Sequence, residues 1–311
     1  GELDMFIDTV IAQMKEKGYI ARVVPIKHII EIGNELKTLE DRKLLDADIL
    51  NILKNFYICD YSNIAFDVKS VIITASPCGI LKVFFNYRDR KIPLTIPPTY
   101  VEYKSDPVKI ESCLQQILET ENYHAQITYS LPGKIIAAKC GLGLYGKNNI
   151  CYVHGMGSFA LLSTFYSDLP CENDNWNDAR LMECCKACDA CINICPTGAI
   201  SPQSYLIKAE RCITYHNEFT KTPDFPEWIN SSAHNSIVGC MHCQTCCPVN
   251  RNYLDRIVEA EEFGEDETEM IIQGTDRSRL SDKTLEKLDR LNLMVYYDKL
   301  ARNIRVLLED R

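Results

Sequence analysis

The stretch CCKACDACINICPTGAI at residues 184–200 decides how this chain must fold. Four of its cysteines follow the spacing Cys-x2-Cys-x2-Cys-x3-Cys and end directly before a proline: Cys185, Cys188, Cys191 and Cys195. A second set with the same cysteine–proline ending lies downstream: Cys212, Cys240, Cys243 and Cys247. A [4Fe–4S] cube takes four thiolates, and the fourth cysteine of such a run ligates the other of two clusters. The spacing therefore predicts two [4Fe–4S] clusters with crossed ligation.

The crossed ligation assigns four cysteines to each cube. The first cube is predicted to take Cys185, Cys188, Cys191 and Cys247, and the second to take Cys212, Cys240, Cys243 and Cys195. Cys184 and Cys246 are adjacent to these ligands, and we interpret them as small buried thiols. His216 and His242 lie inside the same motifs and are candidates for hydrogen bonds to cluster sulfur.

Two other uses of cysteine fit the pattern less well. A structural zinc site favours separated CxxC pairs around a tetrahedral ion, whereas three thiols here share one seven-residue run. A disulfide framework is typical of secreted chains, and residues 1–20 are amphipathic without the features of a signal peptide. No segment reaches the ~18 apolar residues that span a bilayer. We therefore expect a cytoplasmic protein with no membrane contact, from an anaerobic or low-oxygen setting.

Length and composition indicate what surrounds the clusters. A chain of 311 residues with 46% apolar residues favours about two domains with ordinary cores. The net charge of −9 disfavours a broad nucleic-acid surface, so tRNA is a possible but disfavoured partner. We predict an α+β (α/β-like) fold with an N-terminal domain at 1–172, a ferredoxin-like two-cluster module at 173–255 and a helical tail at 256–311.

Hydrophobic periodicity places helices and strands along the chain. Helices are predicted at 3–17, 37–54, 107–121, 132–139, 281–293 and 296–309. Strands are predicted at 68–77, in a hairpin at 81–96, at 125–130 and in a strand–turn–strand unit at 149–166. Residues 171–182 are interpreted as a linker, and the acidic run EAEEFGEDETE at 259–269 as a solvated, mobile connection.

A glycine-rich stretch, CGLGLYGKNNICYVHGMGSF, occupies residues 140–159. Gly141, Gly143 and Gly146 match the spacing of a dinucleotide fingerprint, which follows a strand and opens a helix. Here the order is inverted, because KIIAAKC before it predicts a helix and ICYV after it predicts a strand. A phosphate-binding P-loop is also disfavoured, since Lys147 is followed by Asn148 instead of Ser or Thr.

The glycines still call for an explanation. Closely spaced glycines let the backbone approach a ligand, and several polar side chains nearby could donate to it: Lys147, Asn148, Asn149 and Ser158. The alternative is a tight helix-to-strand connection that binds no ligand.

The order of these motifs resembles epoxyqueuosine reductases and their relatives, the respiratory reductive dehalogenases. The matching pieces are CGLGLYGKNN (140–149), MGSFALLSTFYSDLP (156–170), CKACDACINICPTGAI (185–200), RCITYHNEF (211–219) and GCMHCQTCCPVNRN (239–252). They cover roughly residues 125–252 and are specific for the superfamily more than for one activity.

The resemblance implies a corrinoid reductase. A nitroreductase-like N-terminal domain would hold base-off cobalamin, which the clusters reduce with electrons from a low-potential donor such as a ferredoxin or flavodoxin. The substrate would be a small molecule or a modified nucleoside. The residues that the resemblance assigns to the cofactor are Gly143, Gly146, Lys147, Asn148, Gly157 and Ser158.

Two alternatives remain open. The chain could be a ferredoxin-type electron-transfer protein that binds no corrinoid and serves a partner enzyme, or its N-terminal domain could bind a flavin. The glycine-rich stretch and its donors distinguish these alternatives, because the cysteine pattern fits all of them.

The chain departs from the family at the expected proton donor. Epoxyqueuosine reductases carry an aspartate there, whereas Tyr129 occupies the position when Pro132 is aligned. Reductive dehalogenases use a tyrosine, so Tyr129 is our first catalytic candidate and Tyr145 the second. Either could be an ordinary packed tyrosine, since a phenol of pKa ~10 is a weak donor without a cationic neighbour. The chain also has a shorter C-terminal region than many epoxyqueuosine reductases and no export signal like that of the dehalogenases.

Overall fold

The computed structural model describes residues 1–172, 175–220 and 222–309. Two compact units are present, and each combines segments that are distant in the sequence. The first comprises Gly1–Pro77, Tyr103–Cys188 and Ser204–Leu206; the second comprises Cys78–Glu102, Asp189–Gln203 and Ile207–Arg311. Both mix helices and strands, which confirms the mixed fold class. The units differ from the predicted boundaries at 172 and 255, because the hairpin near residue 80 belongs with the C-terminal helices.

The elements are numbered along the chain. The strands are β1 Ile20–Pro25, β2 Ser70–Pro77, β3 Ile80–Tyr87, β4 Arg90–Ile96, β5 Ala125–Thr128, β6 Gly143–Tyr145, β7 Cys151–Val153, β8 Ala160–Ser167 and β9 Ile257–Phe263. The helices are α1 Glu2–Glu16, α2 Lys27–Asp41, α3 Ala47–Phe56, α4 Glu102–Leu118, α5 Gly133–Lys139, α6 Ala190–Ile194, α7 Ile213–Glu218, α8 His242–Thr245, α9 Glu265–Ile272, α10 Asp282–Arg290 and α11 Tyr297–Glu309. Among the described residues, none of the helices has both the length and the apolar character to cross a membrane.

The first unit is built on a four-stranded antiparallel sheet in the order β1-β2-β8-β5. Strand β2 is apolar along most of its length because helices cover both faces of the sheet. On one face Ile72 belongs to a core with Val10 of α1 and Leu114 of α4. On the other face Ile73 belongs to a core with Ile136 of α5. Alternate residues of β2 therefore point to opposite faces of the sheet and pack into two different cores.

One predicted helix proves to be two. Residues 37–54 were expected to form a single helix, but α2 ends at Asp41 and α3 begins at Ala47. Between them Lys43 adopts a left-handed conformation, with φ 51°. The Asp46 carboxylate then accepts the backbone N–H groups of Asp48 and Ile49, which caps the new helix. Asp46, a residue type that favours the N-cap position, is the feature of the sequence that could have indicated this break. Strand β1 was not predicted.

The second unit contains a three-stranded sheet in the order β4-β3-β9, with β3 antiparallel to β4 and parallel to β9. The prediction of a mobile connection at 259–269 is therefore wrong, because this run forms the end of β9 and most of α9. Its carboxylates face solvent on an edge strand, where charge is tolerated. Three ion pairs of 2.6 Å tie the run to other segments of the unit: Lys91–Glu262, Arg290–Glu261 and Lys287–Glu267.

The core of the second unit explains why β9 is held in place. Phe263, at the end of β9, is fully buried and its ring stacks on Phe85 of β3, with centroids 4.8 Å apart. Leu288 of α10 and Ile304 of α11 complete the same core. The predicted C-terminal helices are confirmed, and they form part of this core instead of a separate tail.

Replacing the buried anchor of β9 tests this arrangement. We expect Phe263→Ala to lower the free energy of unfolding by about 3–5 kcal/mol, because it leaves a cavity beside Phe85. Chemical denaturation of anaerobically prepared protein measures the effect. Val258→Ala on the same strand is the matched control, since Val258 is exposed and should cost little. Equal losses in the two variants would contradict the assignment of Phe263 to the core.

Candidate functional site

The cysteines predicted for the second cluster all lie in the second unit. Cys212 precedes α7, Cys240 lies just before α8, and α8 carries Cys243. Burial raises the pKa of the Cys240 thiol to about 12, a shift to which the neighbouring Cys212 and Cys195 thiols contribute. Burial likewise raises the pKa of Cys212, with Cys195 adding to the effect. Three of the four predicted ligands are thus close enough to oppose one another's ionisation.

Such thiols do not ionise on their own at neutral pH. Only the thiolate binds a metal, and coordination to a cation removes the proton. Loading of these sites must therefore release protons, and the free energy of binding drives that release. Among the described residues, no group of three or more His, Cys, Asp or Glu side chains is placed to hold a single metal ion.

The C-terminal helix α11 fixes the elements that carry these cysteines. The buried guanidinium of Arg302 donates to the carbonyl oxygens of His216 at 2.7 Å and of Thr222 at 2.9 Å. The side-chain amide of Asn303 donates to the carbonyls of Asn217 and Ile237, both at 3.0 Å. The end of α7 and the chain before Cys240 are therefore held by the same two residues.

A buried carboxyl group lies in this region and was not identified from the sequence. Glu218, at the end of α7, accepts a hydrogen bond from the Tyr100 hydroxyl. Burial raises the pKa of Glu218 to about 7, although hydrogen bonds from Tyr100 and the Gly239 amide act in the opposite direction. Gly239 has φ 63°, and a Cβ there would lie 2.5 Å from the Tyr100 oxygen. Nothing in the local sequence distinguishes Glu218 from a surface glutamate.

The histidines in the cluster motifs bond to backbone carbonyls. The Nε2 atom of His216 lies 2.9 Å from the carbonyl oxygen of Glu210, and that of His242 lies 3.0 Å from the carbonyl oxygen of Ala233. Burial lowers the pKa of His216, so its imidazole is neutral at neutral pH. One ring nitrogen of each histidine is therefore engaged within the protein.

The two extra cysteines are less buried than expected. Cys184 is exposed, because it lies in a short 3-10 helix at the surface, Glu183–Ala187. Cys246 is half-buried, with its sulfur 3.7 Å from the carbonyl oxygen of Cys243. The interpretation of both as buried thiols is wrong for Cys184 and only partly right for Cys246.

The glycine-rich stretch forms a β-hairpin in the first unit. Strands β6 and β7 pair antiparallel and follow helix α5, which confirms the inverted order that disfavoured a dinucleotide fingerprint. A Cβ on Gly143 would lie 2.5 Å from the Cys151 sulfur. A Cβ on Gly146 would overlap the side-chain oxygen of Asn148 and lie 2.7 Å from the Tyr152 ring. The space beside both glycines is therefore filled by the hairpin itself.

Three polar side chains at the tip of this hairpin contact other parts of the protein. The Lys147 ammonium donates to the carbonyl oxygen of Cys188 at 3.1 Å. The side-chain amide of Asn148 donates to the Tyr152 hydroxyl at 2.9 Å. The side-chain amide of Asn149 donates to the backbone carbonyl oxygen of Tyr205 at 2.8 Å. The donors expected to meet a ligand are engaged in bonds within the first unit.

The remaining cofactor candidates lie in the turn after β7. Gly157 has φ 61°, and its amide donates to the carbonyl oxygen of Val153 at 2.9 Å. Ser158 is buried next to it. The structure thus brings all six predicted cofactor residues into one hairpin and its following turn.

The two candidate tyrosines have different surroundings. Tyr145 is 4% exposed and its ring stacks on Tyr205, with centroids 4.5 Å apart and planes 7° from parallel. Burial raises its pKa strongly, and the Cys151 thiol adds to the shift. Tyr129 is 47% exposed, and its pKa is raised by burial and then by Glu111. Neither of these pKa shifts includes a contribution from a cationic neighbour, which would lower the pKa of the phenol.

Two cavities flank the segment before α5. The first, of about 180 Å³, is lined by residues that include Tyr129, Thr128, Ser163 and Thr164. The second, of about 320 Å³, has mostly apolar walls, among them Leu36, Leu53, Ile135, Tyr145 and Tyr205. Tyr57 lines both. Tyr129 therefore borders a cavity with both polar and apolar walls, whereas Tyr145 forms part of a mostly apolar wall.

Comparison with known proteins identifies the cysteine-rich region. Residues 184–250 match the 4Fe-4S double cluster binding domain, which supports the prediction of two [4Fe–4S] clusters. The glycine hairpin lies outside this match.

Curated relatives are named epoxyqueuosine reductases. The protein of Gloeobacter violaceus is 35% identical over 117 residues, that of Leadbetterella byssophila 38% over 117 residues, and that of Escherichia coli K12 38% over 128 residues. These matches cover 38%, 38% and 41% of this chain, and 35%, 36% and 32% of the relatives. The chain thus matches about a third of the length of these relatives, and the predicted resemblance to this family is confirmed there.

Solved structures of epoxyqueuosine reductases share the fold. The Bacillus subtilis enzyme, solved with an aspartate-bearing catalytic loop swung out of the active site, matches 98% of this chain and 82% of its own, with TM-score 0.63 and 18% identity. The Streptococcus thermophilus enzyme matches 96% of this chain and 80% of its own, with TM-score 0.62 and 18% identity. At such identities the likeness establishes the fold alone.

Substituting one ligand of the second cluster tests the cysteine assignment. We expect Cys212→Ser to reduce the iron content of the protein from about eight to about four per chain, because a cube of this type takes four thiolates. Iron and sulfide analysis after anaerobic reconstitution measures the loss. Cys184→Ser is the matched control and should retain all the iron, since Cys184 is exposed and outside both ligand sets. A full iron content in Cys212→Ser would remove this cysteine from the set.

Proposed function

We propose that this protein is a cobalamin-dependent iron–sulfur reductase resembling epoxyqueuosine reductase. The observation that carries the proposal is a double-cluster domain in a chain whose fold matches epoxyqueuosine reductase over 98% of its length. Two [4Fe–4S] clusters can deliver two electrons one at a time at low potential. When bound, a corrinoid would supply a cobalt centre that these clusters can reduce.

The cofactor part of the proposal rests on the fold and not on the glycine hairpin. Lys147 and Asn148 are bonded to Cys188 and Tyr152, and the hairpin fills the space beside Gly143 and Gly146. Because these side chains are engaged within the protein and the space beside the glycines is filled, we assign no step of the reaction to these four residues. Gly157 and Ser158 remain candidates for contact with a cofactor of a nitroreductase-like N-terminal domain.

The substrate is proposed to be a small molecule or a modified nucleoside. One epoxyqueuosine reductase of the same fold was solved with an epoxyqueuosine-modified tRNA stem loop, with TM-score 0.62 and 17% identity over 98% of this chain and 81% of its own. That structure makes a nucleoside substrate reasonable, while the net charge of −9 disfavours a grip on the body of a tRNA. A ferredoxin or flavodoxin in the cytoplasm would supply the electrons.

Tyr129 is the proposed proton donor. Its half-exposed side chain lines the cavity of about 180 Å³, to which Thr128 and Ser163 contribute polar groups among largely apolar walls. The raised pKa keeps the phenol protonated at neutral pH but makes it a weaker acid, so transfer of its proton requires strong negative charge on the reduced substrate. The stacked and buried Tyr145 is better explained as packing.

Cofactor retention tests the proposal directly. The protein is purified without oxygen, its clusters are reconstituted, cobalamin is added, and cobalt and iron are measured after gel filtration. About eight irons with near-stoichiometric cobalt, and the EPR spectrum of base-off Co(II), would support a corrinoid reductase. Eight irons without cobalt would overturn the corrinoid and leave an electron-transfer protein for a partner enzyme. Flavin absorbance in the purified protein would favour a flavin-binding reductase.

The two tyrosines can be separated by removing only the hydroxyl group. We expect Tyr129→Phe to lower the rate of epoxyqueuosine reduction, used as the probe reaction, by on the order of 10²-fold or more, because a positioned proton donor is lost. Tyr145→Phe is the matched control and should keep most of the rate, since its ring can still stack on Tyr205. Iron and cobalt contents should match in both variants. A rate unchanged in Tyr129→Phe would exclude it as the donor.

A further inference from the structure

The glycine hairpin is joined to the chain that leads into the first cysteine run. The Tyr145 amide donates to the carbonyl oxygen of Arg180 at 3.0 Å, and the Met182 amide donates to the carbonyl oxygen of Tyr145 at 2.9 Å. Tyr145 and Leu181 thereby form a parallel bridge. The hairpin thus holds residues 180–182, which lie just before the predicted ligand Cys185.

The tip of the hairpin places a cation beside the next predicted ligand. Lys147 is 5% exposed, and its ammonium donates to the carbonyl oxygen of Cys188 at 3.1 Å. Both residues belong to the first unit. A charge shielded from water acts over a longer range than an exposed one, because its field is not screened.

The turn that presents Lys147 is tightly determined. The backbone N–H of Gly146 donates to the carbonyl oxygen of Ile150 at 2.9 Å, and the backbone N–H of Asn149 donates to the carbonyl oxygen of Gly146 at 3.0 Å. Asn149 has φ 62°, a left-handed conformation that asparagine tolerates better than most residues. The sequence Gly-Lys-Asn-Asn therefore specifies a fixed turn, and the direction of Lys147 follows from it.

We propose that Lys147 sets the reduction potential of the first [4Fe–4S] cluster, the one whose predicted ligands include Cys185 and Cys188. Reduction adds one electron from a ferredoxin-type donor and no proton, so the cluster and its thiolates gain one negative charge. A buried ammonium beside Cys188 stabilises that added charge and makes reduction easier. Lys147 is then a positioning residue for electron transfer and not a ligand of the organic cofactor. The inference rests on the proposed two-cluster reductase.

The test is a comparison of cluster potentials in two lysine variants. Lys147→Met keeps the length of the side chain and removes the charge. Lys186→Met makes the same change at a lysine that lies between Cys185 and Cys188 in the sequence. The Lys186 side chain is 68% exposed and pairs with Glu183 at 2.7 Å, so solvent screens it. Anaerobic redox titration followed by EPR gives the potentials without cobalamin or substrate. We expect Lys147→Met to make one potential more negative by about 59 mV, a tenfold change in the ratio of reduced to oxidised cluster, and Lys186→Met to change it less.

Each outcome decides the inference. Full iron with unchanged potentials in Lys147→Met, or an equal shift in Lys186→Met, would overturn the role of Lys147. If Lys147→Met loses iron, Lys147→Arg is measured next. Arginine that preserves the clusters and their potentials would support the need for a positive charge. Loss of iron in Lys147→Arg as well would show that the shape of lysine is what matters, and would overturn the inference. Wild-type protein without about eight irons would instead refute the proposed function.

Discussion

The structure depends on keeping several partly buried thiols close together in surroundings that oppose their ionisation. Burial raises the pKa of Cys240 to about 12, and the nearby Cys212 and Cys195 contribute to that shift. A chain with such thiols needs rigid support around them, because the gain from metal binding must exceed the cost of removing their protons. Arg302 and Asn303 provide that support through hydrogen bonds to four backbone carbonyls. The C-terminal helix is therefore part of the cluster-bearing unit.

The glycine hairpin has an equivalent role at the first cysteine run. Its backbone pairs with residues 180–182, and its tip reaches Cys188 through Lys147 and the chain at 205 through Asn149. Glycine is required at 143 and 146 because the hairpin's own side chains occupy the space that a Cβ would need. In sequence this stretch resembles a ligand-binding loop, but in the structure its glycines and polar side chains are in contact with other residues of the protein.

The sequence predicted the features that depend on local spacing. The cysteine runs indicated the double-cluster domain, and the helix before the glycines argued against a dinucleotide fingerprint. The sequence did not predict that residues 257–263 join a sheet, because the cations that pair with this acidic run, such as Lys91, lie far away in the chain. Nor did it identify Glu218, whose unusual pKa arises from burial and from a hydrogen bond with the distant Tyr100. Long-range packing accounts for both omissions.

Residues of one chemical type are given different roles by their surroundings in this chain. Tyr145 and Tyr129 carry the same phenol, but stacking on Tyr205 encloses the first, while the second is half-exposed and borders a cavity. Lys147 and Lys186 carry the same charge, but only the first is withdrawn from water, where one charge acts strongly on its neighbours. Proton transfer needs access to the substrate and electrostatic tuning needs exclusion of water, so the roles proposed for the exposed tyrosine and the buried lysine are consistent with their burial.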